Sequence, residues 1–202
     1  MLIIGLTGSI GTGKTTVAGL LRKEKIPVIS SDDIVNQLYQ HEAVDIIGKN
    51  FPRSIQNGKV DKKFLLEELK KSPKKIDVLE KIVHPMVRIY EQKILNELLH
   101  RGEKMVFFDT PLIFEKNKVS FFDAIVVVTC SFETQFQRVL SRKKHTKESF
   151  LFILSNQMSD KEKISRADYI IDTEDPIEKI EIEIRKILMH IYKTRDSDRK
   201  NA

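Results

Sequence analysis

The sequence contains one cysteine and no long apolar run, and these scarcities exclude several kinds of protein. A lone cysteine, Cys130, excludes a disulfide framework and a cysteine-rich zinc site, and it is most simply a reduced, small apolar side chain. No stretch approaches the roughly 18 consecutive apolar residues that a membrane-spanning helix needs. The apolar segment 1–8 lacks the basic region and cleavage site of a signal peptide. We therefore expect a cytoplasmic protein without a membrane partner.

Composition and charge describe a globular chain with a moderate excess of basic residues. Its 202 residues suffice for one domain with an inserted subdomain, and a hydrophobic share of 41% argues against bulk disorder. The 35 basic and 29 acidic residues give a net charge of +6, which suits a partner that carries phosphates, such as a nucleic acid, a nucleotide or a phosphorylated cofactor. Because the basic residues are spread along the chain without interleaved aromatic residues, we do not expect nucleic-acid binding.

Alternation of short apolar runs with amphipathic segments predicts an α/β fold. The chain opens with an apolar run, a glycine-rich turn, a helical pattern and a second apolar run, which is typical of a parallel sheet with helices on its faces. The predicted strands are Leu2–Leu6, Ile26–Ile29, Met105–Phe108, Ala124–Val128 and Tyr169–Ile171. A closing helix carries an apolar stripe from Ile177 to Ile191, which we interpret as core, and a polar, frayed tail is expected from Lys193.

The middle of the chain has a different pattern. Between Val44 and Arg101 the apolar periodicity is helical, and we predict no strand there. Asn57-Gly58 marks a turn, Ser72-Pro73 starts a long helix, and Pro85 predicts a kink or break within it. The segment therefore predicts a helical subdomain inserted into the α/β core.

Residues 8–15, with the sequence GSIGTGKT, fit the phosphate-binding pattern G-x-x-x-x-G-K-[ST] without a mismatch. Glycines in this pattern let successive N–H groups turn inward around an anion, and the following helix directs its N-terminus at the phosphates. Lys14 can then bridge the β- and γ-phosphates of a nucleotide, and the Thr15 hydroxyl can bind Mg²⁺. The strand before the loop and the amphipathic helix after it favour this interpretation over a glycine-rich turn with a solvated lysine.

Asp109 ends an apolar strand, the position of a Walker-B aspartate whose carboxylate lies near Mg²⁺. Taken by itself, a strand-ending aspartate is more often a turn cap. The phosphate loop shifts the balance towards the functional interpretation.

A phosphate loop in a chain of this length leaves a small-molecule kinase, a GTPase or a nucleic-acid motor. GTPases usually carry the guanine-reading motif N-K-x-D, whereas Asn117-Lys118 is followed by Ser120 at the aspartate position. Motors are normally larger and carry further motifs. A small-molecule kinase combines an α/β core, a helical acceptor-binding insertion and an arginine-bearing lid, and the sequence pattern contains all three.

Several motifs, in order, resemble those of the dephospho-CoA kinase family over most of the chain, from Leu2 to about Thr173. They are IGLTG (4–8) leading into the phosphate loop, VISSDDI (28–34), LEKIVHP (79–85), DTPLIFE (109–115), the lid-helix residues Gln135, Arg138 and Arg142, and Gln157 and Lys163 before ADYIID (167–172). The resemblance implies a P-loop kinase fold with a five-stranded parallel sheet flanked by helices. Its implied parts are a core (1–40 and 103–192), a helical acceptor-binding insertion (about 41–102), a lid (about 131–160) and a flexible tail (193–202).

The resemblance also implies a reaction: ATP phosphorylates the ribose 3′-hydroxyl of dephospho-CoA, with Mg²⁺, in the last step of coenzyme A synthesis. The implied nucleotide-binding residues are Gly8, Ile10, Gly11, Thr12, Gly13, Lys14, Thr15, Thr16 and Arg142, and the implied metal ligands are Thr15 and Asp109. The implied acceptor-binding residues are Asp32, His84, Asp109, Pro111, Leu112 and Glu115. The implied catalytic residues are Lys14, Asp32, Arg138 and Arg142.

Asp32 is implied to orient the acceptor hydroxyl or to accept its proton. Helix capping by the run Ser-Ser-Asp-Asp explains the residue without catalysis, and Asp33 is its rival for the role. The chain departs from the family pattern at Ser30 (family Asp), Asn36 (family Arg), Lys62 (family Arg) and Thr173 (family Asn). The first two concern details of the acceptor site rather than the reaction.

Arg138 and Arg142 lie four apart on one helix face, where planar guanidinium groups suit a polyphosphate. A solvated basic face is the alternative, and it is our interpretation of Lys143 and Lys144.

His84 either holds the acceptor or is a structural residue beside a proline. Pro111 and Leu112 would shape the acceptor cleft, and Glu115 either binds the acceptor or braces a residue of the lid. Two other functions stay open: a nucleoside or nucleotide kinase, and a nucleotide-binding module that senses ATP without turnover. The expected partners are small molecules, ATP and dephospho-CoA, and the expected state is a monomer or a weak homo-oligomer.

Overall fold

A computed structural model describes residues 1–70, 72–143 and 145–200, and for Pro73 and residues 195–200 it describes the backbone alone. The first half contains β1 (Leu2–Thr7), α1 (Lys14–Lys23), β2 (Val28–Ser30), α2 (Ser31–Leu38), α3 (Val44–Asn50), β3 (Ile55–Gln56), β4 (Lys59–Val60), α4 (Lys62–Leu69) and α5 (Pro73–His100). The second half contains β5 (Met105–Asp109), β6 (Ala124–Thr129), α6 (Phe132–Ser141), α7 (Lys147–Ser155), α8 (Asp160–Ser165), β7 (Tyr169–Asp172) and α9 (Ile177–Lys200).

Five strands form a parallel sheet in the order β2-β5-β1-β6-β7, which confirms the predicted α/β fold. In this register Leu6 of β1 lies opposite Asp109 of β5, and Thr7 lies opposite Val127 of β6. Parallel neighbours need crossover connections, and helices provide them here. The loops that follow β1 and β5 therefore leave the same edge of the sheet side by side.

The strands read as continuous apolar runs because helices cover both faces of the sheet. On one face, β1 and β6 pack with α1 and α9 through a cluster that includes Leu6, Val128, Leu21 and Ile184. The other face carries a smaller cluster, Ile113, Phe114, Ile125 and Val127. The predicted stripe of α9 is buried from Ile180 to Ile191, whereas Ile177 is 50% exposed at the start of the helix and lies outside the core.

The helices α6 and α7 pack together through three phenylalanine rings. Phe136 and Phe150 have ring centroids 5.7 Å apart, and Phe132 contacts both. Phe150 is fully buried, so this pair of helices has its own small apolar centre within the segment predicted as a lid.

The described chain divides into two compact units, residues 1–28 with 104–202 and residues 29–103. The second unit begins at Ile29, so it includes α2, whereas the sequence pattern starts the insertion near residue 41.

Two predictions for the second unit are wrong. A two-stranded antiparallel hairpin, β3–β4, lies where no strand was expected, and it turns at the predicted Asn57-Gly58, whose φ angles of 49° and 72° suit a tight hairpin turn. Strands of two residues are too short to leave a periodic pattern. Of the kink or break predicted at Pro85, the break does not occur either, because α5 continues from Pro73 to His100 with Val83 and Leu95 buried on either side of it.

The end of the chain is more regular than its composition suggests. The helix α9 continues to Lys200, so residues 193–200 of the predicted tail are helical, and residues 201–202 lie outside the described residues. In the part of the chain that the structure describes, no helix combines the length and the apolar character needed to cross a bilayer.

Candidate active site

The loop between β1 and α1 has the backbone conformation that its glycines allow. Gly11 and Gly13 have φ angles of 85° and 89°, in the left-handed region that other residues rarely adopt. At Gly8 a Cβ atom would lie 2.5 Å from the carbonyl oxygen of Val128, so only glycine fits the close approach to β6. Such a loop, followed at once by a helix N-terminus, is suited to an anion.

Lys14 and Asp109 form an ion pair at the carboxyl edge of the sheet. Lys14 begins α1 and Asp109 ends β5, and their side chains are only 16% and 12% exposed. The structure thus brings together the two residues that the sequence proposes for the phosphates and the metal. Two neighbouring parallel strands supply this proximity.

Oxygen donors near this pair fit a magnesium nucleotide. Thr15 and Thr16 are exposed in the first turn of α1, beside Lys14. The described residues contain no group of three or more His, Cys, Asp and Glu side chains that could hold a metal ion. Kinase Mg²⁺ needs no such cage, because one or two protein oxygens, substrate phosphates and waters complete its shell. Thr15 and Asp109 fit that requirement.

Hydrogen bonds hold the first half of the phosphate loop from inside. The Thr12 hydroxyl donates to the carbonyl oxygen of Ser9 at 2.9 Å, and both side chains are buried. The backbone N–H of Ile10, a predicted nucleotide-binding residue, donates to Oε1 of Gln157 at 3.0 Å. The amide of Ile10 is therefore engaged by the protein itself.

A buried lysine, Lys163 of α8, contacts the same loop, and no role was predicted for it. Its Nζ donates to the Ser9 hydroxyl at 3.2 Å and lies 3.1 Å from Oε1 of Glu115. The Ser9 hydroxyl in turn donates to Asp160, which also accepts a hydrogen bond of 2.6 Å from Gln135. Gln135, Gln157 and Lys163 all belong to the motifs noted in the sequence, but only the fold shows that they meet at one loop.

Arg138 is occupied by Thr173. Its two terminal nitrogens donate to the hydroxyl and the carbonyl oxygen of Thr173, each at 2.8 Å. The Thr173 hydroxyl also lies 2.7 Å from the carbonyl oxygen of Thr12, its acceptor in the phosphate loop. Thr173 stands where the family usually has Asn, so this departure is part of the connection between α6 and the loop.

Arg142 lies in a different environment from Arg138. It is exposed at the end of α6, and its guanidinium has no hydrogen bond or ion pair with any residue that the structure describes. Lys143 is exposed beside it, while Lys144 lies outside the described residues. The two arginines of the predicted lid therefore differ: one is held by the protein and one faces solvent.

Cys130 lies behind the phosphate loop. Burial raises the pKa of its thiol, and the neighbouring Arg138 partly opposes that shift. The thiol is thus kept protonated at neutral pH, as expected for a small apolar side chain rather than a nucleophile.

The loop after β5 carries three further candidates. The carbonyl oxygen of Pro111 accepts a hydrogen bond of 3.1 Å from the Thr7 hydroxyl, which fixes the loop against β1. Leu112 is half-buried in the same turn. Oε1 of Glu115 accepts the backbone N–H of Met158 at 2.8 Å as well as the contact from Lys163, so Glu115 links this loop to the segment predicted as a lid.

In the second unit, Asp32 lies in the first turn of α2 and is exposed. The cap of that helix is Ser30, whose hydroxyl accepts the N–H of Asp33 at 3.2 Å. Capping therefore does not use the carboxylate of Asp32, which has no hydrogen-bond partner among the described residues. Serine and aspartate are comparable N-caps, so the departure at Ser30 leaves the helix start intact.

In the second unit, two residues that depart from the family pattern are hydrogen-bonded to each other. Lys62 donates a hydrogen bond to the side-chain oxygen of Asn36, so the two positions where the family has Arg are partners here.

His84 is exposed on α5 and lines an open groove of about 630 Å³ with Glu80, Lys81 and Arg88. Nothing in the burial of His84 indicates a structural role.

Comparisons with known proteins agree with this geometry. The family model for dephospho-CoA kinase matches residues 2–179. A dephospho-CoA kinase from Agrobacterium fabrum is 41% identical over 191 residues, which cover 95% of this chain and 98% of that protein. A solved structure from Thermus thermophilus is 30% identical, with a TM-score of 0.80, over 94% of this chain and 96% of that chain.

The fold is also that of a solved dephospho-CoA kinase from Campylobacter jejuni. That structure is 24% identical and has a TM-score of 0.71, over 96% of this chain and 98% of that chain. Because the family model and the Agrobacterium relative both cover almost the whole sequence, the chain belongs to the dephospho-CoA kinase family.

Proposed function

We propose that this chain transfers the γ-phosphoryl group of Mg-ATP to the ribose 3′-hydroxyl of dephospho-CoA, giving ADP and coenzyme A. The observation that carries the proposal is the ion pair of Lys14 and Asp109 beside the phosphate loop, in a chain of the dephospho-CoA kinase family. The loop supplies inward N–H groups and Lys14 supplies a charge for the triphosphate.

Each residue near the loop has a proposed task. Lys14 stabilises negative charge on the transferred group, and Thr15 and Asp109 hold Mg²⁺. Arg142, which faces solvent, contacts the triphosphate, and this task is supported by its lack of a hydrogen-bond or ion-pair partner among the described residues. Arg138 shapes the loop from behind through Thr173, in addition to any contact with the nucleotide.

Asp32 orients the acceptor hydroxyl in this proposal. Two observations support it over helix capping and over Asp33: the cap is Ser30, and the carboxylate of Asp32 is exposed without a partner among the described residues. Phosphoryl transfer requires little covalent assistance, so orientation is the larger part of the task. Partial proton acceptance follows as the hydroxyl oxygen bonds to phosphorus.

The acceptor contacts, the three-part division and the setting of the enzyme belong to the same proposal. His84, Pro111 and Leu112 contact dephospho-CoA, the insertion at about 41–102 carries much of that surface, and residues at about 131–160 close as a lid. Glu115 braces the lid, which its bond to the Met158 amide supports. The enzyme works on small molecules in the cytoplasm as a monomer or a weak homo-oligomer.

The proposal is tested by ADP release from Mg-ATP with and without dephospho-CoA, beside AMP, CMP and adenosine. Strong stimulation by dephospho-CoA alone is expected. Stimulation by one of the other acceptors would replace it with a nucleoside or nucleotide kinase, and ATP binding without any stimulation would favour a sensing module.

A further inference from the structure

Lys163 is a fully buried cation whose two partners belong to separate segments of the fold. Its exposure is 0%, and its ammonium contacts the hydroxyl of Ser9 and the carboxylate of Glu115. Burying an ammonium group is unfavourable unless it is paired and hydrogen-bonded, and apolar residues often replace both partners of such a pair without loss of stability. Stability alone therefore does not explain why a lysine occupies this position.

The contact with Ser9 fixes a hydroxyl of the phosphate loop. A serine hydroxyl has one donor and two acceptor sites, and this one donates to Asp160 and accepts from Lys163. Asp160 and Lys163 lie three residues apart on α8, so the same helix face supplies both hydrogen-bond partners of the hydroxyl. Asp160 is itself held by Gln135 of α6.

The contact with Glu115 ties in the loop that follows Asp109. Oε1 of Glu115 accepts from Lys163 and from the backbone of Met158, just before α8. Lys163 consequently joins the loop that carries Lys14 to the loop that follows Asp109. Lys14 and Asp109 form the ion pair on which phosphoryl transfer is proposed to depend.

We infer that Lys163 is a positioning residue for phosphoryl transfer: through Ser9 and Glu115 it holds the phosphate loop and the loop after Asp109 in the arrangement that receives the triphosphate. It touches neither nucleotide nor acceptor. The inference rests on the proposed function for the reaction, but its effect on nucleotide affinity is independent of the acceptor. Misplacing such a loop by about 1 Å lowers rates by up to ~100-fold.

The test compares Lys163→Met, which keeps length and apolar stem but removes the ammonium, with Lys161→Met on the exposed face of α8. Titration calorimetry without acceptor measures the Mg-ATP affinity. Steady-state assays with dephospho-CoA give kcat and KM for ATP, and scanning calorimetry gives the melting temperature. We expect Lys163→Met to bind Mg-ATP about tenfold more weakly and to lose roughly tenfold to a hundredfold in kcat/KM for ATP. Lys161→Met should match the wild type in all three.

Two further variants separate positioning from simple charge pairing. Glu115→Gln with Lys163→Met removes the unpaired buried carboxylate, so it should melt at a higher temperature than Lys163→Met alone but still bind nucleotide weakly. Ser9→Ala should also weaken nucleotide binding, and adding Lys163→Met to it should cause less than an additive loss, because both substitutions remove the contact between Lys163 and Ser9. Should Lys163→Met fail to fold, these two variants still decide the question.

Normal nucleotide affinity in Lys163→Met, or full recovery of affinity in the Glu115→Gln, Lys163→Met double variant, would overturn the inference and leave Lys163 a structural cation. Additive losses in Ser9→Ala and Lys163→Met would overturn the route through Ser9. A wild-type enzyme that binds Mg-ATP but ignores dephospho-CoA would instead overturn the proposed function, and the affinity comparison would still be readable.

Discussion

The ammonium group of Lys14 and the carboxylate of Asp109 form an ion pair that joins the first turn of α1 to the last residue of β5. Both side chains are largely shielded from solvent, so the pair is less screened than a surface salt bridge. It places the cation that meets phosphates beside the carboxylate proposed for the metal.

Replacing Lys14 by Ala should lower turnover by about 100-fold or more, because a donor aimed at developing negative charge is lost. The matched control is Lys23→Ala in the same helix, whose side chain is 70% exposed and whose Nζ lies 3.8 Å from Oε1 of Glu181. Steady-state ADP release checks the rates, and circular dichroism checks that Lys14→Ala stays folded. Turnover near the wild-type value in Lys14→Ala would contradict the assignment of the loop.

Asp32→Asn and Asp33→Asn form a second matched pair, because both residues lie in the first turn of α2. Each substitution removes one negative charge from the same helix N-terminus, where a carboxylate is favourable. Turnover should fall by roughly 100-fold or more in Asp32→Asn and by only a few-fold in Asp33→Asn. The reverse order in the measured kcat would move the acceptor-orienting task to Asp33.

The two arginines of α6 should respond differently to truncation. Arg138→Ala loses both hydrogen bonds to Thr173 and should lower the free energy of unfolding by about 1–2 kcal/mol. Arg142→Ala loses no hydrogen bond or ion pair among the described residues, so it should leave stability nearly unchanged and lower turnover. Denaturant unfolding and ADP release separate the two effects. Equal stability of both variants would show that the bond between Arg138 and Thr173 does not form in solution.

Glu174 gives a pH-dependent prediction. Its carboxylate accepts the N–H of Ser131 at 2.7 Å and the hydroxyl of Thr134 at 3.0 Å, and hydrogen bonds from Ser131 first, then Thr134, lower its pKa. A carboxylate with a depressed folded-state pKa stabilises the fold above its unfolded pKa of about 4.3 and loses that contribution as pH falls through the folded value. Glu174→Gln should therefore melt slightly lower than the wild type at pH 7.

The difference in melting temperature between Glu174→Gln and the wild type should shrink as the pH falls below the unfolded-state pKa of about 4.3 and through the lower pKa of the folded protein. Scanning calorimetry at several pH values measures it, with Glu178→Gln, in the first turn of α9, as a nearby acidic control. A difference that stays constant between neutral and acidic pH would mean that the charge of Glu174 does not stabilise the start of α6.

Local patterns were sufficient to predict the sheet and the phosphate loop. The three central strands β5, β1 and β6 are short apolar runs buried over most of their length, so their sequences differ sharply from their surroundings. Lys14 and its glycines lie within eight consecutive residues, and Asp109 ends a strand, so both could be recognised without knowledge of the fold. The hairpin β3–β4 could not, because two-residue strands have no period.

Contacts between distant segments could not be predicted from the sequence. Lys163 meets Ser9 across more than 150 residues and Glu115 across nearly 50, and no local pattern marks a lysine as buried. The partnership of Asn36 with Lys62 is equally hidden, although both positions were noted as departures from the family. The uninterrupted α5 shows a related limit: one lost backbone bond at Pro85 is a local penalty, and the packing of the whole helix outweighs it.

The most direct test of phosphoryl transfer to dephospho-CoA is identification of the product. The enzyme is incubated with Mg-ATP and dephospho-CoA, and the nucleotides are separated by chromatography. Mass spectrometry gives their masses, and phosphorus NMR gives the position of the new phosphate. We expect one coenzyme A, phosphorylated at the ribose 3′-position, for each ADP formed, and formation slowed by about 100-fold or more with Lys14→Ala. Unchanged dephospho-CoA in the presence of an enzyme that binds Mg-ATP would contradict it.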